Sequence, residues 1–268
     1  MDKLMIGALQ LPTLGANATR LEFYLKKAKE RGAKILLLGE YVINLFFKNL
    51  LNMNIDMIKD QTRIQLNNLK KLSKEFDIII VAPIIDVKNG KVYKRIAKIS
   101  PKSVSYYDQQ VLINYSHWDE ESFFANKVSK LKKPMIFELD GFKIAVMFGF
   151  EVHFDHFWIE IQKRGVDIVF VPTANTLNSS LRWQELLSMR AFLNSCYILR
   201  ANRVGEYEDK NLKWYFYGES MLISPEGETL ISLEDKESML IEEIEKEEIE
   251  DALDGWAFRD HLKKRGEI

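Results

Sequence analysis

The fold is decided by residues 34–40, Lys34-Ile35-Leu36-Leu37-Leu38-Gly39-Glu40. A short apolar run that ends in glycine and a carboxylate is typical of a strand buried on both faces of a sheet. The preceding segment carries Leu21, Leu25 and Ala28 at helical spacing, and Gly32 stands where a helix would end. An earlier apolar run occupies residues 4–11. The chain therefore begins strand, helix, strand, which predicts an α/β fold.

The same alternation continues along the chain. Residues 64–76 predict an amphipathic helix and residues 78–83 a buried strand, while Asn89-Gly90 is a strong hairpin signal, so antiparallel strands join a mixed sheet. Strand and helix patterns resume from residue 142 with no Pro/Gly/Ser-rich linker between them. We therefore expect one domain over residues 1–268, with residues 254–268 as a tail that docks through its aromatic residues.

Composition narrows the possible partners. The 268 residues include 38 Lys and Arg against 39 Asp and Glu, a net charge of −1 that provides no uniform basic field for nucleic acid or an anionic membrane. No apolar run approaches the roughly 18–20 residues of a membrane span. The only cysteine, Cys196, excludes an intramolecular disulfide framework and fits a reducing compartment, so we expect a cytoplasmic protein.

Three strand ends carry residues suited to chemistry. Glu40 directly follows the strand of residues 34–38, a position where α/β proteins commonly present functional side chains. The other two segments are residues 106–112, Tyr-Tyr-Asp-Gln-Gln-Val-Leu, and residues 144–151, Ile-Ala-Val-Met-Phe-Gly-Phe-Glu. On position alone, Glu40 is equally consistent with a side chain that turns out to solvent.

In order and spacing, these segments resemble the nitrilase, or carbon–nitrogen hydrolase, superfamily. Further support comes from stretches 7–10, 165–174, 201–205, 217–221 and 225–227. The resemblance implies a four-layer α-β-β-α sandwich of the α/β (α+β) class, with a mixed sheet in each half, that pairs as a homodimer. It implies hydrolysis or transfer at an amide, carbamoyl or nitrile carbon, with no cofactor and no metal.

Family roles can be transferred residue by residue. The general base falls on Glu40 and the second glutamate on Glu120, with Glu121 as a one-residue alternative. The lysine position falls on Gln109 and the nucleophilic cysteine position on Gly149. The resemblance further assigns substrate binding to three residues, Glu151, Thr173 and Asn175.

Two of these positions lack the expected chemistry. Gly149 has no side chain that could attack a carbon, and Gln109 donates only a neutral hydrogen bond. We therefore interpret the chain as a non-catalytic binding or assembly module for a small amide-like ligand or a protein partner. The alternative is a divergent amidase in which Glu40 activates water and Gln109 polarises the carbonyl. If the pocket between these family-equivalent residues is open, ligand binding or residual chemistry is favoured. If neighbouring side chains fill it, only the outer surface of the protein is left as its functional part.

Two other groups of residues are candidates for a reactive centre. Cys196 lies between a predicted helix and an apolar strand, where a small buried hydrophobic residue is the ordinary interpretation. His153, Asp155 and His156 could ligate a metal, but only the two histidines have helical ligand spacing, so a helix start with Asp155 near its N-terminus is the better account.

Overall fold

The computed structural model describes residues 2–15, 18–176, 178–209 and 212–267; Met1 and Ile268, the ends of the expected domain, lie outside them. The strands of the first half are β1 Lys3–Gln10, β2 Ile35–Leu38, β3 Ile79–Lys88, β4 Lys91–Ile99, β5 Val104–Asp108, β6 Asn114–Tyr115 and β7 Trp118–Asp119. The remaining strands are β8 Met135–Leu139, β9 Phe142–Val146, β10 Ile168–Thr173, β11 Tyr197–Asn202, β12 Val204–Asp209, β13 Leu212–Tyr217, β14 Met221–Ile223, β15 Thr229–Ser232 and β16 Ser238–Glu245. The helices are α1 Thr19–Glu30, α2 Phe47–Leu50, α3 Ile55–Phe76, α4 Asp155–Arg164, α5 Ser180–Asn194, α6 Lys246–Trp256 and α7 Phe258–Lys263, with a 3₁₀ turn at Gly149–His153.

The strands form two six-stranded sheets and two small hairpins. The first sheet has the order β16-β1-β2-β3-β4-β5 and the second the order β15-β14-β11-β10-β9-β8. Parallel strands β1, β2 and β3 occupy the middle of the first sheet, and β9, β10 and β11 the middle of the second. Antiparallel strands flank both centres. The prediction of a mixed sheet in each half is confirmed.

The layers follow from the alternation of side chains along each strand. In β2, Ile35 and Leu37 belong to the core between the sheets, whereas Leu36 and Leu38 pack beneath α1 and α3. In the second sheet, Phe170 faces the first sheet, while Val169 and its neighbours pack beneath α4 and α5. The result is a four-layer α-β-β-α sandwich, as predicted.

Turn and helix-cap residues also form the local structures that their types favour. Asn89 and Gly90 both have positive φ, 51° and 70°, which is the geometry of a type I′ hairpin turn between β3 and β4. The helix predicted over residues 64–76 is longer: α3 begins at Ile55 because the Asn54 side chain accepts the Asp56 backbone N–H at 2.8 Å.

The C-terminal residues pack on the second half. The predicted tail boundary at residue 254 falls within α6, and α7 follows after a left-handed residue, Ala257. Arg259 is buried and donates to the carbonyl of Val166 at 2.7 Å and to that of Ser195 at 3.3 Å. Within the described ranges, no helix is long and apolar enough to cross a membrane.

Candidate functional site

A cavity of about 200 Å³ opens where strands of both sheets end. It lies at the carboxyl ends of β2, β9 and β10, the usual location for functional side chains in α/β proteins. Its wall comprises Glu40, Ile113, Tyr115, His117, Trp118, Gly149, Phe150, His153, Thr173, Ala174, Asn175, Thr176, Ser179 and Trp183. Phe150 and Trp183 thus line the space without filling it, so the open alternative applies.

Close contact between the two sheets positions Glu40. A Cβ on Gly39 would stand 2.9 Å from the Arg203 backbone nitrogen, so only glycine allows this approach. The Glu40 backbone N–H donates to the Thr173 carbonyl at 3.1 Å. The next residue, Tyr41, has a φ of 57°, a strained conformation for a bulky side chain of the kind that clusters at functional sites.

A lysine stands between the two predicted glutamates. Lys94 of β4 places its Nζ 2.5 Å from Glu40 Oε2 and 2.6 Å from Glu120 Oε1, and all three side chains are buried. Lys94 therefore supplies beside Glu40 the positive charge that the neutral Gln109 lacks. The Gln109 backbone N–H donates to the Lys94 carbonyl at 3.1 Å, so the charge comes from the adjacent strand.

Gln109 itself does not reach this group. Its Nε2 donates to the Val111 carbonyl at 2.8 Å, and among the described residues its buried Oε1 has no hydrogen-bond partner. Gln109 does not line the cavity. The alternative in which Gln109 polarises a substrate carbonyl thus lacks support from the geometry.

A signal for Lys94 is present in the sequence. Along β4, Val92, Lys94 and Ile96 occupy successive inward positions and are buried. A lysine between two apolar residues of the same face is unusual, since a fully buried lysine needs a partner. The alternation of inward positions along β4 could therefore have identified Lys94 as a candidate site residue.

Burial and charge act together on the cluster. Burial raises the pKa of Glu40, although the Lys94 ammonium and the Gly149 backbone N–H both stabilise its ionised form. Burial also disfavours the Lys94 ammonium, but the carboxylates of Glu120 and Glu40 outweigh it and hold the pKa of Lys94 above its usual value. Lys94 is therefore a stable cation in the folded protein.

Glu120, and not Glu121, is the buried member of the acidic pair. Its Oε1 accepts the Tyr41 hydroxyl at 2.5 Å and the Trp118 indole N–H at 3.2 Å, in addition to Lys94. Glu121 is exposed and accepts the Asn114 amide at 2.9 Å. Glu120 thus holds Lys94 from behind and does not itself line the cavity.

The space beside Gly149 is already occupied. Gly149 has no positive φ, so its backbone would accept another residue, but an added Cβ would lie 2.6 Å from the Thr173 Cγ2 methyl. The Gly149 backbone N–H donates to Glu40. The position that resembles the family nucleophile is therefore a backbone donor beside a threonine methyl.

Thr173 and Asn175 line the cavity, and Arg200, which does not line it, donates hydrogen bonds to both. Arg200 Nε donates to Thr173 Oγ1 at 3.2 Å, and Nη2 donates to Asn175 Oδ1 at 2.8 Å. Thr173 in turn donates to Asn202 Oδ1 at 3.0 Å, so no described base accepts its proton. Burial lowers the pKa of Arg200.

Glu151, the third residue assigned to substrate binding, does not line the cavity. It is fully buried and accepts the Tyr107 hydroxyl at 2.9 Å and the backbone N–H groups of Gln110 and Phe148 at 2.7 Å and 3.0 Å. These contacts tie the 3₁₀ turn to the end of β5. Burial nevertheless raises the pKa of Glu151 to about 7.

Cys196 lies away from the cavity, and the members of the histidine–aspartate group lie in different surroundings. Cys196 is fully buried in the core beneath α5, and burial raises its pKa to about 12, so its thiolate is inaccessible at neutral pH. Asp155 pairs with Arg190 at 2.6 Å, whereas His153 lines the cavity. Among the described residues, no group of three or more His, Cys, Asp or Glu side chains is arranged to hold a metal ion.

The fold is a four-layer α-β-β-α sandwich with a cavity at the ends of its central strands. A family model described as carbon-nitrogen hydrolase matches residues 5–253, and the chain belongs to this family. It is 25% identical over 265 residues to a deaminated glutathione amidase of Synechocystis sp., covering 91% of this chain and 92% of the relative. It is 26% identical over 252 residues to a 2-oxoglutaramate amidase of Bacillus subtilis, covering 92% of each.

Solved structures show the same fold. A carbon-nitrogen hydrolase from Helicobacter pylori G27 superposes with a TM-score of 0.83 at 18% identity, covering 96% of this chain and 94% of the other. An amidase from Nesterenkonia sp. superposes with a TM-score of 0.78 at 18% identity, covering 98% and 96%.

Proposed function

We propose that this chain binds a small amide-like ligand without forming a covalent bond to it. The observation that carries the proposal is the pairing of an open cavity with a nucleophile position that holds Gly149 and the Thr173 methyl. The curated relatives named above are amidases, which supports an amide as the ligand class. Without a thiol at this place, the acyl-enzyme route of a cysteine hydrolase has no first step.

The retained groups are suited to binding. Glu40 faces the cavity as an acceptor, and Asn175, Thr176 and Ser179 add neutral polar groups beside the aromatic side chains of the wall. A concave, mostly apolar site with a few convergent polar groups is the usual form of a small-molecule site. At about 200 Å³ the space is below the roughly 300–1,000 Å³ of sites for drug-sized ligands, so we expect a small ligand.

The proposal is tested with purified protein and a panel of simple amides, nitriles and carbamoyl amines. We expect saturable binding of at least one amide by calorimetry, with no ammonia release above the level of the Glu40→Gln variant. Glu121→Gln, the exposed neighbour of Glu120, is the matched control and should bind as the parent does. Ammonia release that the Glu40→Gln change abolishes would overturn the non-covalent, non-catalytic proposal.

A second candidate is hydrolysis by water that Glu40 activates. It is favoured by the 2.5 Å contact between Glu40 and Lys94, which retains a carboxylate and a cation in direct contact at the cavity. This candidate predicts turnover that survives thiol alkylation and is lost in Glu40→Gln. Absence of ammonia at high protein concentration would eliminate it.

A further inference from the structure

The cavity wall combines one carboxylate with aromatic rings. When its histidines are neutral, Glu40 is the one group with a formal charge among the described residues that line the space. Besides the two histidines, the remaining wall includes four rings of the kinds that bind cations: Tyr115, Trp118, Phe150 and Trp183. Faces of aromatic rings attract cations because the ring quadrupole is negative there.

The buried group of Glu40, Lys94 and Glu120 contains one more carboxylate than ammonium groups. Glu40 and Glu120 provide two carboxylates, and Lys94 provides one ammonium, so the buried group carries a net charge of −1 when all three are ionised. Lys94 does not line the cavity and is held 2.6 Å from Glu120. A ligand therefore meets the carboxylate of Glu40 and not the lysine.

Arg200 does not reverse this balance. Its guanidinium donates to Thr173, Asn175, the Tyr217 hydroxyl and the Glu219 carbonyl, and it does not line the cavity. The Glu219 carboxylate also acts on it electrostatically. Arg200 thus uses four of its five N–H groups to hold the wall and lies outside the cavity lining.

We propose that the ligand of this cavity carries a cationic amino group, which is held by Glu40 and by the surrounding rings. This inference rests on the proposed binding function and specifies its ligand class. The ammonium would donate to Glu40 and complete the charge of the buried group, while the aromatic wall would stabilise it through cation–π contacts. Glu40 then serves as a counter-ion, a role that requires neither a thiol at residue 149 nor proton transfer.

Three amides of four or five carbons, which differ in their end group, separate the outcomes. In 4-aminobutanamide the end group is an ammonium, in pentanamide a methyl group, and in succinamate a carboxylate. By calorimetry at pH 7.5 we expect 4-aminobutanamide to bind at least about tenfold more tightly than pentanamide, and succinamate not to bind detectably. Equal or tighter binding of pentanamide or succinamate would overturn the inference while the binding function stands. Binding by none of the three would overturn both.

Two variants identify the groups responsible. Glu40→Gln should remove the preference for 4-aminobutanamide over pentanamide, whereas the exposed Glu121→Gln control should retain it. Phe150→Leu changes a partly exposed ring and should weaken 4-aminobutanamide by about 2- to 30-fold with little effect on pentanamide. If circular dichroism shows that Glu40→Gln does not fold, the Phe150→Leu variant provides the test. An equal loss of affinity for 4-aminobutanamide and pentanamide would then contradict the proposal.

Discussion

At the scale of single residues, Gly149 and Thr173 together leave no space for a nucleophilic side chain at residue 149. The added Cβ at Gly149 would meet a buried, β-branched neighbour and not the flexible end of a long side chain. Such a neighbour has few rotamers with which to move away. The two positions therefore depend on each other: the methyl group of Thr173 occupies the space that a side chain at residue 149 would need.

Restoring a thiol should require both positions to change. We expect Gly149→Cys alone to lower the free energy of unfolding by about 1–3 kcal/mol through overpacking. Gly149→Cys with Thr173→Ser removes the methyl but keeps the hydroxyl, so it should regain stability and react faster with chloroacetamide. Denaturant unfolding and adduct mass measure the two effects, with Thr173→Ser as control and buried Cys196 as the internal unreactive thiol. Equal stability and reactivity of the single and double variants would contradict this account.

Glu151 should make stability depend on pH. Burial raises its pKa from 4.5 to about 7, so between these values the folded state holds a proton that the unfolded state has lost. Stability therefore falls as pH rises through this window, by about 3 kcal/mol for this group. Urea unfolding at several pH values should show the parent losing that amount relative to Glu151→Gln.

The exposed Glu121→Gln variant is the control for this measurement, and its pH profile should follow the parent. Parallel profiles of the parent and Glu151→Gln between pH 4.5 and 7 would show that Glu151 is not the titrating group.

At the scale of elements, the register of β4 against β5 brings the cation to the site. Arg95 pairs with Asp108 in this ladder, and Lys94 lies beside Gln109 at the end of β5. Positions on neighbouring strands are about 5 Å apart, so a long side chain from either one can approach the same two glutamates. We therefore expect a lysine at residue 109 to supply the same charge from the neighbouring strand.

An exchange of the two residues tests this account. Lys94→Gln should destabilise the protein by about 3–5 kcal/mol because it leaves two buried carboxylates without their cation. Adding Gln109→Lys should recover more than half of that loss. Denaturant unfolding measures both, with Lys91→Gln at the exposed start of β4 as the control, expected within about 0.5 kcal/mol of the parent. No recovery in the double variant would show that residue 109 cannot reach the site.

At the scale of the whole molecule, the second half presents apolar side chains to solvent. Leu181, Met189 and Leu193 on α5 and Ile159 on α4 are all more than two-fifths exposed, and the two helices are joined by the Arg190–Asp155 ion pair. Contiguous exposed apolar side chains mark association surfaces. We propose that these helices form the interface of a homodimer.

Light scattering at micromolar concentration should therefore give twice the mass of one chain. Met189→Lys should give the mass of a single chain, because an unpaired charge in an apolar interface is costly. Leu230→Lys, an exposed leucine on β15, is the matched control and should stay dimeric. A single-chain mass for the parent protein would refute the dimer.

Much of the scaffold could be predicted from local pattern. The apolar runs of residues 34–38 and 78–83 and the hairpin at Asn89-Gly90 all form where the residue order indicates. The reason is that the periods of helix and strand, and the φ preferences of turn residues, are properties of neighbouring residues. The same logic placed Glu40 at the end of a buried strand.

The sequence by itself determined the alternation of strands and helices, the mixed sheet, the position of Glu40 after a buried strand and the absence of a thiol at residue 149, and its resemblance to a family implied the four layers. Only the tertiary structure decided that Lys94 stands between Glu40 and Glu120, that Glu151 ties a turn to β5, and that the cavity is open. These features depend on the register of adjacent strands and on the distance between two sheets, which bring together residues far apart in the chain. Local periodicity marks Lys94 as an inward-facing residue of β4 but carries no information about register or distance, so its contact with the two glutamates could be predicted only once the strands were paired.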